Sequence, residues 1–509
     1  MSVGRTSGEQ IARPRGRWRG LLFRLAAVLL ALSPFLIFEL LCWQFDWGAA
    51  TDPADPFVAF ATNRPLFERT ADGSRWQITP RLQRFFSDES FPAHKPSGTR
   101  RVFVVGESTV AGEPFGKPTS FPTWLQVALD ATDGSGRWDI VNCGGISYAS
   151  YRLAPIVEEC LTHEPDLIVL AVGHNEFLEE RTYAPIRATP AVIRSLYDAV
   201  ERSRGFRVTR SRVLGTFAAS KSTLPEEIRT RLDLEGGLEA YHRNEAGRRA
   251  VIAHYEFNLR RMVNSVQAAG VPLILIRQPS NLADCPPFKS DYAPGLSPED
   301  RARCDELVAA AQERLATDLP AAVLLLEEAV RIDPTFARTQ YELGKCYEAL
   351  GDTARARQAY IAARDHDVCP LRMLSEMEQI LAQVAAGTRT PLVDLHALLE
   401  QETPTGILGG FLLVDHVHPS MAGHQRIAKR LLMELDSLGL YQPRPNSQTA
   451  IDAAFAEHLA SLDPQYFLRG QRSLRSLQAW AAGRAPYTPM VTGPEPKAQS
   501  EPMLSPRHE

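Results

Sequence analysis

From residue 101 to about residue 440, short runs of consecutive apolar residues alternate with longer stretches of helical spacing. Val102 to Val105 is an unbroken apolar run, as expected of a strand buried on both faces, and Gly106 lets the backbone turn where the run stops. Phe121, Trp124, Leu125, Val127 and Ala128 then recur at helical spacing behind Ser120, a candidate N-cap. A second strand is predicted over Trp138–Asn142, a helix over Ser150–Thr162 and a third strand over Leu167–Val172. Residues 177–243, rich in Arg, Glu and Thr, read as a cover over the strand ends. A long helix follows over Glu245–Ala269, with Tyr255, Leu259, Met262, Val263 and Val266 on one stripe, and Gly270 stops it. Val271–Ile276 and Pro391–Asp394 complete the strands, and a last helix runs over Ser420–Leu438. Strands that alternate with helices of ten or more residues predict an α/β domain with a parallel sheet, right-handed crossovers and helices on both faces.

The stretch between the fourth and fifth strands has a different period. Leu343, Gly344 and Tyr347, followed by Ala356, Tyr360 and Ala363, reproduce the tetratricopeptide spacing, with Gly351–Asp352 at the turn. A step back of about 34 residues, one repeat length, places Ala322, Leu326, Ala329 and Pro334 on equivalent positions. One repeat and half of another are visible, too few for an independent solenoid, so the insert is expected to lean on the sheet domain. A plain helical hairpin is the alternative.

Ahead of the sheet domain, Arg5, Arg13, Arg15, Arg17 and Arg19 precede a mostly apolar segment from Leu21 to Trp43, just long enough to span a bilayer. The positive-inside rule puts residues 1–20 in the cytoplasm and the rest of the chain outside, with 21–43 as a single membrane anchor. A cleaved signal peptide is the rival, and it lacks a small-x-small site after the apolar run. Residues 44–98 read as a linker with one or two edge strands around Trp76–Ile78. The expected organisation continues with sheet domain 99–284, helical insertion 285–385, sheet domain 386–440, helical extension 441–485 and a disordered tail 486–509.

Composition narrows the function classes. The 509 residues, 44% apolar and 23% charged with net charge −4, can bury a large core and offer no basic footprint, so nucleic acid is not an expected partner. The cysteines at 42, 143, 160, 285, 304, 346 and 369 form no C-x-x-C pair, so neither a zinc site nor a dense disulfide framework is indicated. A Cys285–Cys304 bridge is conceivable if the domain is exported, and Cys143 reads as packing. His174, His416 and His424 show no metal-ligand spacing with carboxylates, so no metal is expected. Glu176 and Glu179–Glu180 are expected to cap and solvate the start of a helix.

The first three predicted strands end in small or polar residues on one sheet edge, where open α/β sheets bind ligands. Ser108 follows Gly106–Glu107 at the end of the first strand, a candidate nucleophile. Asp415 and His418 share one loop as Asp-x-x-His-Pro, so the carboxylate can orient the imidazole while its other nitrogen faces Ser108. Asn175, after the third strand, can donate to a developing oxyanion, as can the backbone N–H of Ser108 and one from the Gly144–Ser147 turn. Each element alone is common; shared order and edge make the constellation.

That order, Gly106-Glu107-Ser108, Asn142-x-Gly144-Gly145-x-Ser147, Gly173-His174-Asn175-Glu176 and Asp415-x-x-His418-Pro419, resembles the four signature blocks of the SGNH (GDSL-like) hydrolases over roughly residues 100–284 and 386–440. The resemblance implies a flavodoxin-like three-layer α/β/α fold with five parallel strands and ester hydrolysis or acyl transfer through an acyl-serine. It implies Ser108 as nucleophile, His418 as general base, Asp415 as its orienting acid and Asn175 as oxyanion donor, with no cofactor. Glu107 departs from the family's usual Asp, and Ser147 occupies the position of its oxyanion glycine, with Gly145 as the alternative donor. The expected function is a membrane-anchored esterase acting on an acylated small molecule or glycan, such as an O-acetylated envelope substrate. An acyltransferase using the same residues is one alternative. The other is a scaffold whose tetratricopeptide insert binds a protein partner.

Overall fold

The computed structural model describes residues 30, 33–45, 65–134, 136–179, 208 and 237–481. Residues 1–62 and 182–224 form one unit, in which 33–44 are helical, and residues 63–181 and 225–509 form a second, larger one. Among the described residues no helix is long and apolar enough to cross a membrane. Of the expected anchor, residues 21–29, 31 and 32 lie outside the described residues, as do the basic N-terminus, nearly all of 180–236 and the expected tail.

The larger unit begins with a small antiparallel sheet, β1 (Phe67–Arg69), β2 (Arg75–Ile78) and β3 (Ser90–Pro92). Then come β4 (Thr99–Gly106), α1 (Ser108–Ala111), α2 (Phe121–Thr132), β5 (Arg137–Gly144), α3 (Ser150–Cys160), β6 (Leu167–Ala171), α4 (Glu245–Ala268) and β7 (Leu273–Arg277). The insertion carries α5 (Pro298–Arg314), α6 (Leu319–Ile332), α7 (Ala337–Ala349) and α8 (Thr353–Asp365). The described residues close with α9 (Ser375–Thr388), β8 (Leu392–Asp394), α10 (Leu395–Glu400), α11 (Met421–Ser437), α12 (Ser447–Ser461) and α13 (Pro464–Ala481).

The main sheet has five parallel strands in the order β5-β4-β6-β7-β8. Because side chains alternate along a strand, one strand feeds two cores. Phe103 and Val105 join Ile168, Leu170, Leu273 and Leu275 against α3, α4 and α9. Val102 and Val104 join Val169, Ile274 and Ile276 against α2, α11 and α12. The result is the expected three-layer α/β/α arrangement. The strand order reverses between β5 and β6, on either side of β4, and ligands bind at such a switch point.

The stretch expected as a linker is, from residue 65 on, part of the first core. Leu66, Phe67, Ile78, Phe86 and Phe91 are buried there, and the buried Arg101 guanidinium joins the two sheets through Asp139 Oδ2 (2.9 Å), His163 O (3.0 Å) and Pro92 O (3.0 Å). Its apolar residues are too dispersed to show a period, which is why the sequence reads as a connector. The boundary expected at residue 385 also moves. Met377, Leu381, Val384 and Ala385 of α9 belong to the sheet domain's core, so the inserted helices end with α8.

In the insertion, the ring of Tyr360 lies so close to Gly344 that a Cβ there would meet it at 2.7 Å, so the α7–α8 pairing needs that glycine. The insert leans on the sheet domain as expected: Tyr341 Oη donates to Ala283 O (2.8 Å), and Leu282, Ala283 and Ile407 share its core. Cys285 and Cys304 are free thiols directed at different carbonyls, those of Pro286 and Ala329, and form no bridge. Cys143 is buried packing, with its Sγ 4.0 Å from that of Cys160.

Candidate active site

Glu107 follows the last residue of β4, and Ser108 opens the short helix α1. The Asp415 loop enters the same edge between Leu413 and Pro419, which pair across it, and Val414 N–H donates to His418 O at 2.9 Å. Asn281, just beyond β7, holds this loop from the side: its Nδ2 donates to Asp415 O and its N–H to His416 O, both at 2.9 Å. Arg372, at the exit of the insertion, donates in turn to Asn281 O (2.7 Å) and Cys285 O (2.8 Å). Neither residue carries a recognisable motif, and sequence reasoning missed both.

Within this frame Ser108, His418 and Asp415 form a relay. His418 Nε2 lies 2.8 Å from Ser108 Oγ, and Nδ1 lies 2.7 Å from Asp415 Oδ2. Asp415 Oδ1 accepts the N–H groups of Val417 (2.9 Å) and His418 (2.8 Å), so the carboxylate is fixed by its own turn. With these acceptors Nδ1 carries the proton, and Nε2 is left to accept from the serine hydroxyl. Burial works against charge on both partners. It would raise Asp415, but the adjoining His418 outweighs it and holds the acid well below the usual carboxylate range. It would lower His418, but the charge and hydrogen bond of Asp415 win and raise the imidazole above its ordinary value.

Asn175 stands beside this relay on the turn after β6. Its Nδ2 donates to Tyr148 O at 3.2 Å, which fixes the amide and leaves its second hydrogen for the cleft. Ser147 also lines the cleft, with φ of 61°. This is the left-handed region that a glycine adopts freely, which suits the glycine usual at this place in the hydrolases the sequence resembles. Gly145 must be withdrawn as the alternative donor, because its N–H is spent on Gly106 O at 2.8 Å, one step beyond the β4–β5 ladder. A Cβ at Gly145 would meet Tyr148 and Phe86 at under 3 Å, so this glycine serves packing. If Asn175 donates to the oxyanion, replacing it by alanine is expected to cost about 10²–10³ in kcat with little change in KM, and steady-state kinetics on an ester checks it.

Glu107 turns out to be more than a mild replacement. It is fully buried, and its carboxylate accepts the N–H groups of Gly173 (2.9 Å), His174 (3.0 Å) and Asn175 (3.2 Å) together with Nε2 of Gln278 (2.9 Å). It therefore clamps the Asn175 turn to the nucleophile's strand. Burial pushes it up to about 7, the hydrogen bonds resist, and the nearby Glu176 adds to the rise. Glu107→Gln would set an NH2 against these donors. A loss of about 1–3 kcal/mol in unfolding free energy is expected, read from chemical denaturation, with a fall in kcat as the Asn175 turn loosens.

Glu176 does not cap its own turn. It is buried and accepts the Ser150 N–H at 2.7 Å, at the start of α3, while Glu179 pairs with Arg152 at 2.7 Å. His424 and His174 each use Nδ1 to accept a backbone N–H, from Phe121 (3.2 Å) and Met373 (3.0 Å), and burial pushes His424 down to about 3. Asp415, His416 and His418, a set that includes neither His174 nor His424, offer ligand atoms within 4.8 Å of one another. Both ring nitrogens of His418 are engaged in the relay, so a cation binding there would compete with it.

A family model for the tetratricopeptide repeat matches residues 313–368. No curated protein matches the chain. Among solved structures, a lipase/acylhydrolase from Enterococcus faecalis aligns at 13% identity and TM-score 0.30, over 68% of this chain and 98% of its own. The acetylxylan esterase Axe2 from Geobacillus stearothermophilus aligns at 13% identity and TM-score 0.30, over 66% of this chain and 94% of its own. A GDSL-like lipase from Bacteroides thetaiotaomicron gives 11% identity and TM-score 0.27, over 67% and 89%. At such similarity the reading rests on the chain's own geometry. Its blocks at Ser108, Ser147, Asn175 and Asp415–His418, gathered on one sheet edge, resemble those of the SGNH (GDSL-like) hydrolases, and a tetratricopeptide segment interrupts them.

Proposed function

We propose that this chain is a serine esterase that removes an acyl group, such as O-acetyl, from a substrate of the cell envelope. The observation that carries the reading is the unbroken relay from Asp415 Oδ2 through His418 to Ser108 Oγ, at 2.7 and 2.8 Å. Ser108 Oγ attacks the ester carbonyl as its proton passes to His418 Nε2, and Asp415 stabilises the imidazolium. The developing oxyanion faces the N–H groups of Ser108 and Ser147 and the Asn175 amide. Collapse breaks the ester C–O bond, and His418 returns the proton to the departing alcohol. Water then attacks the acyl-serine with the same imidazole as base, releasing the carboxylic acid and restoring Ser108. No step draws on a metal or organic cofactor.

The envelope location rests on the arginine cluster and the apolar segment from Leu21 to Trp43. Carbonate-resistant association of the full chain with the membrane fraction tests the anchor, and release into the soluble fraction would sink it. The activity itself is tested with p-nitrophenyl acetate and the full-length protein. An initial burst, with a Ser108 peptide heavier by one acetyl group, is expected. Absence of both turnover and adduct would remove the esterase reading. Adding a saccharide acceptor separates hydrolysis from transfer: free acetate supports the esterase, and acetylated acceptor supports the transferase. The insert's surface is the place where a protein partner would bind if the chain works within a complex. Co-purification with and without residues 300–365 tests that, and unchanged partners would end the idea.

A further inference from the structure

The cleft over Ser108 has two sides of different origin. The reacting groups come from the sheet edge. The apolar side is Leu178, Leu371, Leu477 and Trp480, which belong to one buried cluster although they lie far apart in sequence. Leu371 comes from the exit of the insertion. Leu477 and Trp480 come from α13, three residues apart and so on one helix face.

Three contacts seat that helix around the nucleophile. Tyr466 Oη lies 2.7 Å from Thr119 Oγ1, and Phe115 packs so closely over Gly470 that a Cβ there could not fit. Near the other end, Gln478 Nε2 donates to Val414 O at 3.3 Å, immediately before the Asp415 loop. The helix is thus tied both to the segment that follows Ser108 and to the loop that carries the acid and the base.

We propose that α13 is the acyl-binding wall of the site, with Trp480 and Leu477 limiting the acyl group to about the size of acetyl. The inference rests on the esterase reading and adds its acyl specificity. A long acyl chain needs an open apolar channel leading away from the nucleophile. Among the described residues the apolar side is closed: Leu178, Leu371, Leu477 and Trp480 are between 2% and 6% exposed and pack with Tyr241 and Cys369. Each further methylene would have to displace a packed side chain, and one methylene in a filled pocket is worth roughly 10–200-fold in kcat/KM.

The test uses the full-length protein, its Trp480→Ala and Leu477→Ala variants, and p-nitrophenyl acetate, butyrate and octanoate. Short- and long-chain alkylsulfonyl fluorides report access to Ser108 without requiring turnover. The parent should favour acetate over butyrate by at least about 10-fold and react with the short sulfonyl fluoride alone. Either variant should raise the butyrate-to-acetate ratio by about 10-fold or more and admit the long reagent. Trp480→Phe should move the ratio back toward the parent and stands in if Trp480→Ala does not fold. If the parent reacts with short and long reagents alike, or neither variant moves the ratio, the wall is overturned while the esterase stands. If no reagent modifies Ser108 and no ester turns over, the esterase reading falls, and the wall with it.

Discussion

Ser108→Ala should lower kcat for ester hydrolysis by at least about 10⁴-fold, because the nucleophile is lost and only oxyanion donors and binding remain. KM should change little. Ser108 Oγ interacts with His418, and the side chain is not part of either core, so the unfolding free energy should stay within about 0.5 kcal/mol of the parent. The variant should also lose the acetyl adduct seen by mass spectrometry in the parent. If the variant kept the parent rate, the hydrolysis would belong to another group, and the relay would be an accident of packing.

Asp415→Asn should cost a comparable amount, about 10⁴-fold in kcat, for a different reason. Asp415 Oδ1 holds the turn through Val417 and His418, and Oδ2 accepts from His418 Nδ1. An asparagine can satisfy one of these demands with its oxygen but must present NH2 to the other. If the oxygen keeps the turn, the NH2 faces Nδ1, the imidazole takes its proton on Nε2, and the base is disabled toward Ser108. The pH profile supplies a second readout. In the parent the base is neutral only above a pKa raised over the ordinary imidazole value of about 6.5, so kcat/KM should climb through a limb above that pH. Without the carboxylate, burial dominates and pulls the imidazole down, so any residual activity should rise at lower pH than in the parent.

The same pair affects stability with a definite sign. The folded pKa of His418 is raised, so its contribution is present below the unfolded value and fades as pH climbs through the folded one. The folded pKa of Asp415 is depressed, so its contribution is present above the ordinary carboxylate value and fades on acidification. Both describe one interaction, which is fullest between those limits. Chemical denaturation of the parent and of Asp415→Asn across pH should diverge most there.

Much of the site was legible because its chemistry is local in sequence. Asp415 and His418 sit three residues apart in one turn, and Ser108 and Asn175 each end an unmistakable apolar strand. The residues that fix this arrangement from behind, Glu107, Asn281 and Arg372, were not legible in that role. Glu107 matters only because Gly173, His174, Asn175 and Gln278 converge on its carboxylate, and Arg372 only because it meets the backbone of Asn281 and Cys285. Gly145 misled for a related reason: whether a backbone N–H is free depends on its ladder partner, and Gly106 O takes this one.

By itself, the sequence determined the five-stranded parallel sheet, the tetratricopeptide insert and that Ser108, His418 and Asp415 meet at one edge, because hydrophobic period and short motifs are properties of consecutive residues. Only the tertiary structure decided that residues 65–93 belong to the core and that Ser147 takes up the glycine conformation. It also decided that α13, far from Ser108 in the chain, lines the cleft through Leu477 and Trp480. Those outcomes depend on which distant surfaces bury one another, and a linear pattern carries the strength of each surface but not the address of its partner.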